Sequence, residues 1–337
     1  MPADPKLAHV ALELTAEARG LMACRFDPVG KHLFASAENR SIYRWKLEAA
    51  AKDPKHKPVA FGAHESWMFD LAVTADGQTL ISAGGDDQLI WWPASAEAPQ
   101  PIRKVKAHQG WIRSIRLSPD GKLLASGGND RMLRVWNVAD GTKVHEFSEA
   151  AREIWSVAFH PDGKSVLGGD LDGKIHQWDI AAGKHVRSFD AAPLHEFEKG
   201  QSVHYGGVRA LVVSTDGKWV VGGGLHKGTN PLGNIQQPLG LRFDWQSAKL
   251  TRQHVTTGFT NERIWGMHYH AQGFLVAAIG GSKGALLFWN EGDDPSFHTF
   301  ALPSTARGMA VSSDGMQIAT THFDSKVRVT KLSAKTA

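Results

Sequence analysis

Short runs in which apolar residues alternate with polar or small ones fill most of this chain, and turn residues separate them. Between residues 111 and 136 the runs read "WIRSIRLS", "KLLASGG" and "LRVW", with "PDG" and "NDRM" between them. Alternation with a period of two marks β-strands with one buried face. The unit recurs seven times: an alternating first strand, a tight turn ending in Gly, a second strand rich in Gly, Ala and Ser, another turn, and a third strand that usually ends in Trp. The first turns end at Gly30, Gly77, Gly121, Gly163, Gly217, Gly273 and Gly315, at spacings of 47, 44, 42, 54, 56 and 42 residues. Five of these turns read Asp-Gly, with Asp76, Asp120, Asp162, Asp216 and Asp314 in the Asp position. That pair suits a tight hairpin whose two central residues both take positive φ. Third strands end at Trp45, Trp92, Trp136, Trp178, Trp245 and Trp289, with Thr330 in the seventh slot.

A period in the forties, several short strands per unit and Gly/Trp punctuation predict an all-β chain folded as a seven-bladed β-propeller of four-stranded antiparallel blades. Length alone, 337 residues, would suggest two domains. The repeat replaces that expectation with a single domain over residues 1–337. The last unit stops after its third strand, "KVRVTKL", whereas "AHVALELT" near the start alternates Val10, Leu12 and Leu14 with Ala11 and Glu13. A strand over residues 7–14 is therefore expected to complete the seventh blade and close the ring.

Two units carry a further set of residues: His64, Ser82, Asp86 and Trp92 in one, and His108, Ser126, Asp130 and Trp136 in the next, each offset by 44. A buried indole N–H needs an acceptor and a buried Asp needs donors, so a closed local network removes both penalties. On these residues and the repeat, the chain resembles the WD40 (WD-repeat) family over essentially its whole length, best in residues 62–92 and 106–136. The resemblance implies that each set of four forms a hydrogen-bonded tetrad within one blade. Recurrence at the repeat spacing, anchored on Trp, suits scaffolding rather than a hydrolytic triad. Other units are degenerate: Asn39 replaces the Asp in the first, Lys283 replaces it in the sixth, and Asp172 in the fourth lacks its His. Packing must hold those blades.

The same resemblance places the entries to the first strands, and the turns between second and third strands, on one face used for partners. Aligned on their Gly turns, the entries present Gly20, Trp67, Trp111, Glu153, Gly207, Arg263 and Thr305, and two residues later Met22, Phe69, Arg113, Trp155, Arg209, Trp265 and Arg307. Trp and Arg dominate binding hot spots, and interleaved cations and aromatic rings suit an acidic or aromatic peptide. The candidate binding residues are thus Trp67, Phe69, Trp111, Arg113, Trp155, Arg209, Arg263, Trp265 and Arg307.

Two long insertions belong to the fifth blade: "DAAPLHEFEKGQSVHYGG" at its entry and "GLHKGTNPLGNIQQP" between its second and third strands. Long loops on a rigid ring tend to carry function, and these two would form a wall beside the channel mouth. His195, His204 and His226 lie in that wall with Glu196 and Glu198, a ligand set compatible with zinc, although no compact His-x-x-x-His spacing accompanies it. "GGSKG" at 280–284 fits G-x-S-x-G around Ser282, but a strand rather than a helix is predicted to follow, which excludes a nucleophile elbow.

Composition adds little. The net charge of +4 and pI near 9.1 are too mild to argue for nucleic acid as partner. Cys24 is the single cysteine, which rules out an intrachain disulfide and fits a reducing compartment. The N-terminus lacks the charged and apolar regions of a signal peptide, and no run approaches a membrane span, so a cytoplasmic protein is expected. A signal already removed would leave the same sequence. The expectation is a non-catalytic, cofactor-free scaffold: a monomeric ring that binds a protein or peptide through its Trp/Arg-rich channel face and assembles into a larger complex. The alternative is a propeller enzyme, or a small-ligand or metal binder using the blade-five loops.

Overall fold

The computed structural model describes residues 2–53, 55–229, 236–291 and 295–334. Within them the strands form seven four-stranded antiparallel sheets and one two-stranded hairpin. Each sheet is a blade whose innermost strand is its first: Leu21–Phe26, Met68–Val73, Ile112–Leu117, Ile154–Phe159, Ala210–Val213, Glu262–Tyr269 and Ala306–Val311. Each first strand touches the next, and that of blade seven touches that of blade one, so the ring closes.

Closure is completed by Ala8–Thr15, which pairs antiparallel with Lys326–Leu332 from Ala8 opposite Leu332 to Thr15 opposite Lys326. The clasp begins one residue later than expected because Leu7 ends a 3-10 turn, Pro5–Leu7, capped by the Asp4 carboxylate accepting from the Lys6 N–H. Leu14 is buried, as alternation requires. Glu13, on the opposite side, pairs with Lys326 and accepts from Arg328 Nε at 2.8 Å.

The Asp-Gly turns differ from the expected geometry. Only the Gly adopts positive φ, 69° at Gly77 and 71° at Gly121, while the preceding Asp does not. In each, a type I turn ends in a left-handed Gly, and the loop is one of the longer hairpin connections. The Asp contributes its side chain instead: Asp76 Oδ1 accepts from Thr74 Oγ1 and the Gln78 N–H, and Asp120 Oδ1 accepts from Ser118 Oγ and the Lys122 N–H. The same bonds form at Asp216 and Asp314.

The apolar core lies between neighbouring blades. Trp91, Ile112, Leu124 and Trp136 form one such cluster between blades two and three. Small residues on the second strands let the sheets approach: a Cβ added to Gly127 would lie 2.4 Å from Ile154 Cγ2. Two elements were not evident in the sequence pattern. A short helix, Leu47–Lys52, leads to the outer strand of blade one, and the blade-five entry folds as a hairpin of His195–Glu198 and Val203–Gly206. No helix among the described residues is long and apolar enough to cross a membrane.

Candidate functional site

Blades two and three each contain a closed tetrad. His64 bonds Asp86 Oδ1 at 2.8 Å and Ser82 Oγ at 2.7 Å, and Trp92 Nε1 donates to the same Ser82 oxygen at 2.9 Å. In blade three, His108 bonds Asp130 at 2.8 Å and Ser126 at 2.7 Å, and Trp136 Nε1 donates to Ser126 at 2.8 Å. Blade four substitutes another acceptor, Glu149 Oε2, for the Trp178 indole at 2.8 Å, and blade six uses the Val255 carbonyl for Trp289. The Trp45 indole of blade one has no partner among the described residues.

The mouth of the central channel is a cavity of about 290 Å³. What aims side chains into it is a break in strand pairing that no sequence rule had indicated. In blades two, three, four, six and seven the register between first and second strands slips at one residue: Phe69, Arg113, Trp155, Trp265 and Arg307. A β-bulge bends its strand and re-aims the extra residue. Here the five bulged residues line the mouth, joined by Trp67, Trp111, Met22 and Arg209.

From blade two to blade five these residues form a continuous stack. The Phe69 and Trp111 rings lie 5.3 Å apart at 28°. The Arg113 guanidinium lies 4.5 Å from the Trp111 ring centre and 3.9 Å from that of Trp155, and Arg209 covers Trp155 at 3.6 Å. Trp155 is thus flanked by two cations, while Trp67 and Trp111 remain 45% and 40% exposed at the rim. Arg263, the ninth expected residue, does not line the mouth. It sits in regular register opposite Gly280, one position before Ile264, and the Gln236 amide oxygen, oriented to satisfy both groups, accepts from its Nη2 at 2.8 Å.

Among the described residues, five arginines and one carboxylate line the mouth. Arg307 pairs with Glu38, and Arg25 and Arg116 both pair with Asp70. Arg113 and Arg209 have only neutral acceptors among the described residues, Asn129 Oδ1 at 2.8 Å and the Gly206 carbonyl at 2.6 Å. Burial pushes the Arg113 guanidinium down to about 10, with Glu153 offsetting part of it. Burial, together with the positive charges of Arg263 and Arg113, pushes Arg209 down to about 9. Both stay charged at neutral pH, at a desolvation cost that an anion in the mouth would relieve. The Trp155 indole N–H is buried there with no acceptor among the described residues.

Asp70 was missed by the sequence reading. It is buried in the channel wall and accepts from Arg25 of blade one, from Arg116 and Ser114 of blade three, and from the Leu71 and Ile115 N–H groups. Burial alone would raise its carboxyl, but the Arg116 and Arg25 charges and the two backbone donors outweigh burial and hold it below the ordinary range.

In the blade-five wall, His195 and His204 are brought together and His226 is not. The third member of the group is Asp172 of blade four, which the sequence had offered only as the remnant of a tetrad. His226 ends the long second strand Trp219–His226, outside the hairpin that carries the other two. Residues 230–235 of the second insertion lie outside the described residues. Ser282 Oγ donates to Glu262 Oε1 at 2.7 Å, and the strand Gly284–Trp289 follows it, so its G-x-S-x-G string is a capped β-turn.

Residues 56–92, 99–137 and 141–179 match the family model described as WD domain, G-beta repeat. These segments overlap blades two, three and four, the first two of which carry the complete tetrads. A search of curated proteins finds no match.

Proposed function

Because the chain is a WD40 seven-bladed β-propeller, a fold whose members typically serve as protein-interaction scaffolds, we propose that it is a non-catalytic adaptor that binds a protein partner through the channel mouth. The partner contributes an acidic segment, inserted where Arg113 and Arg209 flank Trp155. The observation that carries this reading is the pair of desolvated guanidiniums that, among the described residues, hydrogen-bond no carboxylate and feel only the unbonded charge of Glu153, beside an indole N–H without an acceptor. Structural arginines in the same mouth have their counter-charges: Asp70 for Arg25 and Arg116, Glu38 for Arg307. The exposed Trp67 and Trp111 supply adjoining apolar area of the kind that anchors hot spots. The residues 1–337 act as one module in this reading, and the buried thiol of Cys24 fits a reducing compartment such as the cytoplasm.

The test is selection from a displayed random-peptide library, with the full chain as bait. The wild type should enrich Asp- and Glu-containing peptides, with affinity falling as salt rises. Arg113→Gln combined with Arg209→Gln should abolish the enrichment while the melting temperature stays within about 2 °C, since each cation hydrogen-bonds a neutral acceptor rather than a carboxylate. Enrichment without acidic bias, or enrichment that survives the double substitution, would overturn the proposal.

A further inference from the structure

The clearest feature left over by the channel mouth is the group at the junction of blades four and five. Asp172 lies in the turn between Ser165–Asp170 and Lys174–Asp179, at the position Asp86 and Asp130 hold in blades two and three. There the carboxylate is 2.8 Å from its own blade's His. Blade four has Ala150 in the His position, so its Asp has no such partner. Instead Asp172 faces two histidines on the hairpin that blade five inserts alongside it. His195 is opposite Gly206 and His204 opposite Phe197, which puts the two imidazoles diagonally on one face of the hairpin.

Three ligand atoms converge. His195 Nε2 and His204 Nδ1 are 2.9 Å apart, and each is 3.8 Å from Asp172 Oδ1. Ligands of a tetrahedral ion bound at about 2.0–2.1 Å are about 3.4 Å from one another, and the three separations bracket that value. At 3.8 Å the carboxylate makes no hydrogen bond to either imidazole, and Asp172 Oδ1 is buried without accepting a hydrogen bond from any of the described residues. We propose that Asp172, His195 and His204 form a binding site for a divalent transition-metal ion, zinc in the first instance, with a fourth position open to solvent.

The hairpin is braced for this role. Tyr205 donates to the Gly228 carbonyl at 2.7 Å, and Glu196 accepts from the Gly228 N–H, tying it to the loop that leaves the second strand of blade five, Trp219–His226. The three ligand side chains are 21–28% exposed, so an ion has an entry path and room for a water or a partner's side chain. Imidazole and carboxylate donors suit zinc.

One group competes. Arg152 Nη2 is 3.0 Å from His204 Nε2, and its Nε is 3.4 Å from Asp172 Oδ1. Coordination through His204 Nδ1 puts the proton on Nε2, which can no longer accept from Arg152. The ion therefore displaces the arginine, whose side chain is 43% exposed and free to swing into water. Arg152 stands in for the missing positive charge until an ion arrives.

The experiment is calorimetric titration of Zn²⁺ into the chelator-stripped full chain at neutral pH, with Co²⁺ as a spectroscopic probe. One equivalent should bind, and Co²⁺ should show the intense visible absorption of a four-coordinate ion. Asp172→Asn, His195→Gln and His204→Gln should each weaken binding at least about tenfold. His226→Gln should leave it unchanged. Arg152→Gln should bind several-fold more tightly, because a cation beside a dication is removed. This gain of affinity keeps the test decisive even where a ligand variant folds poorly. The proposal falls if no saturable equivalent binds, if binding is indifferent to the three ligand substitutions, or if Arg152→Gln binds no better than wild type. Acidic-peptide enrichment by the metal-free chain is a separate readout, so failure here and failure of the channel-mouth reading are distinguishable.

Discussion

Replacing Asp70 with Asn keeps the size and removes only the charge, so it isolates what this carboxylate does for the ring. In the wild type it accepts five hydrogen bonds, including Arg25 Nη2 at 2.7 Å and Arg116 Nη1 at 2.6 Å, and so ties blade two to both neighbours. An amide retains one acceptor and turns its NH₂ toward donors, leaving two guanidiniums without a counter-charge. Removing one partner of a buried ion pair costs about 3–5 kcal/mol. The lower end applies, because Arg116 is 42% exposed and water screens its share, whereas Arg25 is only 19% exposed. Unfolding entropy of about 2.1 cal/mol/K per residue over 337 residues is about 0.7 kcal/mol/K, so ~3 kcal/mol lowers the Tm by about 4 °C. Scanning calorimetry at neutral pH measures this directly. Arg25→Met with Asp70→Leu removes the stranded cation as well and should recover at least half of the loss. The sign with pH follows from a folded-state pKa held below its unfolded value. The stabilisation is complete above about 3.9, the unfolded value, and is lost as pH falls through the lower folded one. The gap between wild type and Asp70→Asn should therefore persist from pH 7 to 5 and close only below about pH 4. A Tm within 1 °C of wild type at pH 7, or a gap that closes above pH 5, would refute the assignment.

The tetrads make matched claims: Ser126→Ala strips the acceptor from the Trp136 indole and the hydroxyl partner from His108 Nε2, and Ser82→Ala does the same to Trp92 and His64. Each should cost about 2 kcal/mol, or about 3 °C in Tm by calorimetry, and equal losses are expected from the equal geometry. Deleting residues 1–15 exposes the edge of Lys326–Leu332 and removes Glu13 from Arg328, so the Tm should fall by well over 5 °C; an unchanged Tm would mean that the ring closes without its clasp. Cys24 is fully buried with its thiol pushed up to about 12 by desolvation, so a maleimide should label it only after denaturation, as mass spectrometry of native and unfolded samples will show.

How much the sequence disclosed depended on whether a feature repeats. Period-two alternation and Gly turns repeat seven times, so blades, clasp and the ring of entry residues could be aligned before any coordinates. The bulges could not be seen, because Arg113 and Trp155 look like ordinary alternating positions and only the paired strand shows that the register slips there. Asp70 was hidden for the opposite reason. In "MFDLAV" it reads as the polar member of an alternating strand, and its burial depends on Arg25 and Arg116, 45 and 46 residues away. The Asp-Gly turns showed the right residues with the wrong role for the Asp, since its side chain rather than its backbone does the capping.

Departures from the repeat are where polar groups become available. In blades two and three the tetrad absorbs every donor and acceptor it contains, so those residues can contribute rigidity but little else. Blade four has lost both the His and the Ser, with Ala150 and Gly168 in their places. Its Trp finds Glu149 instead, and Asp172 is released from the blade interior to face the neighbouring hairpin. The insertion supplying that hairpin occurs in the next blade, beside a tetrad carboxylate that has lost its own blade's His. The same logic holds at the channel mouth: Arg25, Arg116 and Arg307 are ion-paired to carboxylates of the ring itself, and among the described residues the lining arginines left without an ion pair are Arg113 and Arg209 around one indole. Stability is thus vested in the copies that match the repeat, and binding chemistry in the residues that the repeat does not use.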